Sequence, residues 1–104
     1  MFIIVIAIIP VISASTPSVD TTPPVISPVN DVTVTLVQGQ ANIGQAFWIE
    51  PTATDDSGQA NLITRSHTPG DFFQVGVTPV TYVFADPSGN RATLVFNVNV
   101  VLGM

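Results

Sequence analysis

Val32-Thr33-Val34-Thr35-Leu36 limits what this chain can fold into more than any other stretch. Its apolar and hydroxyl residues alternate one for one, so every second side chain shares a face. β-Branched residues suit that pleated surface and lose rotamer freedom in a helix. The same period returns at Val80, Tyr82 and Phe84, which alternate with Thr81 and Val83. It returns again near the end, where Leu94, Phe96, Val98 and Val100 oppose Val95, Asn97 and Asn99. Turn residues punctuate the intervals at Gly39, Asp55 to Gly58, Pro69-Gly70, Gly76 and Asp86 to Asn90. Between them the pattern predicts a strand over Ile43–Ile49, ended by Glu50-Pro51, and another over Ala60–Ser66 with Leu62 inward. A short strand over Phe72–Val75 follows, and then a Val77-Thr78-Pro79 bend. No stretch carries a helical period. Short strands with regular turn signals predict an all-β fold, an antiparallel β-sandwich of about seven strands.

A length of 104 residues provides one core and no second domain. Hydrophobic residues make up 46% of the chain, too many for disorder. Lysine is absent, Arg65 and Arg91 are the only basic side chains, and the net charge is −5. Neutralising phosphates takes clustered Lys and Arg, so neither nucleic acid nor an anionic membrane surface is a suitable partner. Met1 to Ile12 is an unbroken apolar run, shorter than the roughly 20 residues a membrane-spanning helix needs. With Ser13, Ala14 and Ser15 behind it, the run predicts a cleaved signal peptide over residues 1–15 and hence a secreted protein. Residues 16–24, rich in Ser, Thr and Pro, read as a linker, and residues 20–101 as the domain. There is no cysteine and no Asn-x-Ser/Thr glycosylation sequon.

The motifs follow one another in a recognisable order. Asp20-x-x-Pro23-Pro24-Val25-Ile26 precedes Asn30-Asp31-Val32-x-Val34, then Trp48-x-Glu50-Pro51-x-Ala53-x-Asp55-Asp56-Ser57-Gly58. Pro69-Gly70-x-x-Phe73-x-Val75-Gly76, Val80-x-Tyr82 and Asp86-x-Ser88-Gly89-Asn90-x-Ala92-Thr93-x-x-Phe96-x-Val98-x-Val100 complete it. Each motif is weak alone; in this order and spacing, from Asp20 to Val101, the chain resembles the hyalin repeat, or HYR, module. The resemblance implies an immunoglobulin/fibronectin-III-like sandwich, extracellular, often in tandem arrays and associated with adhesion, with no catalytic residues to carry over. It also implies a cysteine pair joining the region of the first strand to the last. Pro28 and Leu94 stand in those places here. A bridge of that kind contributes roughly 2–4 kcal/mol, which this copy must replace with packing or do without.

Individual residues extend the reading. Trp48, the only tryptophan, suits the centre of a sandwich core, although an exposed Trp would suit a sugar or protein partner. Tyr82, just beyond the Val77–Pro79 bend, resembles a tyrosine corner whose hydroxyl bonds to nearby backbone. Asp55 to Gly58 and Asp86 to Gly89 share the pattern Asp-x-Ser-Gly, in which aspartate accepts backbone N–H bonds and Gly58 or Gly89 takes a positive φ. If they are the BC and FG loops of such a sandwich they lie at one end; the opposite strand assignment separates them. At one end, Asp55, Asp56, Asp86, Asn90 and Arg91 form a candidate protein-binding tip. The alternative is a calcium- or carbohydrate-binding end, but these residues match no EF-hand spacing and fall short of the six to eight oxygens calcium takes. No metal site and no cofactor are therefore assigned. His67 and Asp71 flank a turn with no nucleophile elbow and no second histidine, which argues against catalysis. The expected function is an extracellular contact module, not an enzyme. Its partners would be an extracellular protein or matrix component and neighbouring repeats; a passive spacer in a longer repeat protein is the other alternative.

Overall fold

Each alternating run becomes a strand, and the register between them builds one layer of the core. The structure, a computed structural model, describes residues 20–39 and 41–103. The expected signal peptide and residues 16–19 of the expected linker lie outside them. Eight strands follow in order: β1 (Val25–Ile26), β2 (Val32–Leu36), β3 (Ile43–Gln45), β4 (Ala53–Thr54), β5 (Asn61–Arg65), β6 (Phe72–Gln74), β7 (Gly76–Ala85) and β8 (Arg91–Leu102). A four-stranded sheet has the order β2-β8-β7-β5, and two short pairs, β1-β4 and β3-β6, make up the rest of the β-structure.

The long β7-β8 hairpin sets Val80 against Phe96 and Tyr82 against Leu94, and β2 adds Val32 beside Val98 and Val34 beside Val100. Because side chains alternate, Val80, Tyr82, Phe84, Phe96, Val98 and Val100 all reach one buried face. Ala46 and Phe73 complete the buried cluster, with Ile26, Trp48 and Ala53 packed against it. Gly44 sits where β3 comes closest to β2. A Cβ there would lie 2.9 Å from a methyl of Val34 and 3.0 Å from one of Leu36, so glycine alone lets the backbone come so near.

The structure is all-β, as expected, but it differs from the sequence reading in five places. β2 pairs with β8 in parallel, so the sheet is mixed and not purely antiparallel. Two short strands that the pattern did not predict, β1 and β4, pair with each other ahead of and behind the expected strand β2, which lies at the edge beside β8. The strand expected over Ile43–Ile49 stops at Gln45, where the ladder with β6 ends at Gln45–Phe72. Beyond it Ala46 still donates to the Asp71 carbonyl at 3.1 Å, but Phe47 and Ile49 turn outward, 64% and 89% exposed. Leu62 is 41% exposed because β5 is an edge strand with all five residues exposed and a register shift between Leu62 and Thr64.

Finally, Val77-Thr78-Pro79 lies within β7, where a bend was expected. Thr81 sends its N–H toward β5, to the Ser66 hydroxyl at 2.9 Å, and two residues earlier Pro79 faces the same side. β5 pairs only with Tyr82 to Ala85, so the donor that proline lacks would have had no partner there.

Candidate functional site

The two Asp-x-Ser-Gly turns lie at the same pole of the sandwich, and a third aspartate joins them. Asp55 follows β4, and its Oδ2 accepts the Ser57 N–H at 3.1 Å and the Ser57 hydroxyl at 2.8 Å. The Gly58 N–H closes the turn on the Asp55 carbonyl at 2.9 Å, with Gly58 at φ +84°. Asp86 follows β7, and its two oxygens accept the Asn90 backbone N–H at 2.9 Å and side-chain amide at 2.8 Å. Gly89, at φ +91°, donates to the Asp86 carbonyl at 3.1 Å. An L-side chain in either glycine position would be strained.

The third member is Asp20, in the arm ahead of β1. Its Oδ1 accepts the Thr22 N–H at 2.9 Å, and its carbonyl accepts the Asn90 amide at 2.7 Å. Asn90 thus ties the arm to the β7-β8 turn. The arm, read as linker in composition, also buries Pro24. One carboxylate oxygen from each of Asp20, Asp55 and Asp86 lies within 4.8 Å of the others. Asp86 is only 5% exposed. Asp20 Oδ2 and Asp55 Oδ1 are closed off from solvent and accept no hydrogen bond.

Crowding these carboxylates moves the proton affinities of Asp20 and Asp86 apart. For Asp20 the Thr22 N–H is the strongest influence and favours ionisation. Burial and the adjacent Asp86 and Asp55 carboxyls outweigh it and hold the group above the usual range. For Asp86 burial acts most strongly and opposes ionisation. The Asn90 side-chain and backbone donors, then the bond with Asp20, overcome it and hold Asp86 below that range.

The remaining expected tip residues frame this cluster without entering it. Asp56 and Arg91 are both exposed, Asp56 in the β4-β5 loop and Arg91 at the start of β8. Sequence reasoning missed Asp20, although the Asp-x-x-Pro-Pro motif that begins the domain marks it.

Two other constellations are structural. Trp48 is half-buried and meets Phe96 and Phe73 edge-on at 5.3 and 6.2 Å between ring centroids. Its indole N–H donates to the Tyr82 hydroxyl at 2.8 Å, which donates to Glu50 Oε2 at 2.8 Å; Glu50 in turn pairs with Arg65. The Tyr82 hydroxyl therefore bonds to two side chains and not to the nearby backbone that a tyrosine corner uses. Burial raises its pKa, and its bond draws that of Glu50 down. His67 Nδ1 is 2.8 Å from the Ser66 hydroxyl, and its ring packs against Phe73. Asp71, the nearby carboxylate, is occupied by the Thr68 N–H and hydroxyl at 2.9 and 3.0 Å. Among the described residues, no carboxylate is hydrogen-bonded to His67.

The fold and this pole define a two-layered β-module with a carboxylate-lined end. The HYR domain model matches residues 19–100, and the chain belongs to the HYR domain family. It is 54% identical over 84 residues to hyalin of Lytechinus variegatus, covering 80% of this chain and 16% of that protein. With hyalin of Strongylocentrotus purpuratus it is 52% identical over 87 residues, covering 80% of this chain and 7% of that protein. The sushi, von Willebrand factor type A, EGF and pentraxin domain-containing protein 1 of Rattus norvegicus is 52% identical over 48 residues, 46% of this chain and 1% of that protein. The chain therefore spans a small part of these relatives. No solved structure matches it. Among the described residues, no helix is long and apolar enough to cross a membrane.

Proposed function

We propose that this chain is an extracellular adhesion module that acts by surface contact, without catalysis, and binds a protein or matrix component through the pole formed by the β4-β5 and β7-β8 loops. The observation that carries this reading is the convergence of both loops and the N-terminal arm at one end of a rigid sandwich. Functional contacts concentrate on loops held in this way. Membership of the HYR family supports an adhesion-type role, and the hyalin relatives, several times longer than the matched region, support neighbouring repeats as further partners. The apolar run Met1 to Ile12 supports secretion.

The test is binding of the purified module to a panel of immobilised extracellular-matrix proteins and to a second copy of itself. Asp56→Ala combined with Arg91→Ala changes the exposed tip and leaves both Asp-x-Ser-Gly turns in place. At least a tenfold loss of binding is expected. Binding equal to wild type would move the contact surface away from this pole.

A further inference from the structure

We infer that the open edge of β2 pairs with the β2 of a second copy of this chain, antiparallel about a two-fold axis at Val34. Strand β2 ends the four-stranded sheet, and among the described residues it pairs with β8 alone. The Gly103 N–H donates to the Leu36 carbonyl at 2.7 Å, and Leu36 lies opposite Leu102. Alternate residues of a parallel ladder turn both backbone groups to the partner strand, so Val32, Val34 and Leu36 face β8. The N–H and C=O groups of Thr33 and Thr35 therefore point to the open edge.

The two edges of this sheet are finished differently. At one edge, β5 has a register shift between Leu62 and Thr64 and ends in Arg65, which pairs with Glu50. Bulges and charges of this kind keep an edge from pairing with another chain. Strand β2 has neither. Its five residues stay in register throughout and include no charge, proline or glycine. Asp31, just ahead of it, turns its carboxylate toward β8, where Oδ1 accepts the Asn97 N–H at 2.9 Å. Val32, Val34 and Leu36 pack against the core yet stay half-buried, with no strand beyond them.

The register selects the occupant. With the axis at Val34, Thr33 lies opposite Thr35 of the second copy, and Thr35 opposite its Thr33. Each of these pairs exchanges two backbone hydrogen bonds, so four bonds use every group that Thr33 and Thr35 leave open on both copies. Val32 meets Leu36 of the second copy on the core side, and the threonines pair on the outer side. A two-fold contact needs one surface that complements itself, and β2 is such a surface. Charge permits the approach here. Strand β2 lies beside Val98–Leu102, whereas Arg91 and the Asp86 turn stand at the other end of β8. The axis sends the two carboxylate poles to opposite ends of the pair, which keeps apart the net charge of −5 on each copy. This contact is separate from the loop pole and does not depend on whether the pole binds a partner.

Sedimentation equilibrium of the purified chain is the test. The apparent mass should rise from 10.9 kDa toward twice that value as concentration passes through roughly 0.01–1 mM, as a small interface behaves. Thr35→Pro removes an N–H that faces the open edge and leaves the bonds to β8, so dimerisation should weaken by about tenfold or more. Thr33→Lys with Thr35→Lys sets like charges opposite each other at two exposed positions and should weaken it about tenfold. That variant also carries less net charge, which by itself favours association, so the loss reports the local pairing. Thr33→Lys with Thr35→Glu keeps the net charge and sets opposite charges across the axis, so it should dimerise at least as well as wild type. Equal melting temperatures in dilute solution show that both charged variants fold. Asp56→Ala with Arg91→Ala, at the loop pole, should dimerise as wild type does. The proposal is overturned if wild type stays monomeric up to about 1 mM. It is equally overturned if the like-charged variant dimerises as wild type does, if the oppositely charged variant is as weak as the like-charged one, or if the pole variant loses the dimer.

Discussion

Removing one oxygen atom, in Tyr82→Phe, tests how far this cysteine-free sandwich depends on the polar chain from Trp48 to Arg65. The ring is fully buried and stacks on Phe96 at 6.3 Å, so phenylalanine keeps the apolar packing. Two hydrogen bonds disappear: one from the Trp48 indole and one to the Glu50 carboxylate. A neutral bond of this kind is worth about 1 kcal/mol and one to a charged group about 1.5–3 kcal/mol. The Glu50 side chain is 41% exposed, so solvent recovers part of its bond, and the lower end of that range applies. The total is about 2.5 kcal/mol, which for a domain of this size is a fall in Tm of about 10–20 °C. Urea unfolding followed by the fluorescence of Trp48 measures it directly, because Trp48 is the only tryptophan. A second readout separates the charge from the packing. The Tyr82 bond holds the Glu50 pKa below its ordinary value, so its contribution is present above the unfolded-state value and lost as pH falls through the folded one. The variant should therefore lose stability less steeply on acidification than wild type. A stability change below about 0.5 kcal/mol, or identical acid limbs, would refute the reasoning.

Phe96→Ala removes the ring on which both Trp48 and Tyr82 pack and should cost about 3–5 kcal/mol by denaturant titration. Gly44→Val forces atoms into the space held by Val34 and Leu36 and should cost about 1–3 kcal/mol, with the added volume, not lost helix or sheet propensity, as the cause. The raised pKa of Asp20 means the folded state binds more protons than the unfolded state, so this group lowers stability as pH rises through the acid range. Asp20→Asn should accordingly melt with wild type at low pH and increasingly above it as pH rises, as read by thermal melts across the range.

The strands most visible in the sequence were those with one buried and one exposed face. Val32, Val34 and Leu36, Val80, Tyr82 and Phe84, and Phe96, Val98 and Val100 each write that division as a two-residue period. The signal failed where exposure did not follow hydropathy. Phe47, Ile49 and Leu62 read as strand interior, yet they lie at the surface because the β3-β6 ladder is short and β5 is an edge. At the pole, the local turn chemistry of Asp55 to Gly58 and Asp86 to Asn90 was legible because each motif closes on itself. Asp20 was not, since what places it there is the Asn90 amide, 70 residues further along the chain. Composition marked its segment as linker, and only the tertiary register makes it part of the cluster.

The parallel pairing of β2 with β8 has a mechanical consequence. Both strands run in the same direction, with five residue pairs from Val32–Val98 to Leu36–Leu102 joining them. Tension that draws the start of β2 away from the end of β8 therefore pulls along the strands and across their hydrogen bonds. The bonds of that ladder resist together in shear and cannot be unzipped one at a time. A module joined through these two strands in a stretched layer would hold its shape until the whole ladder gave way at once.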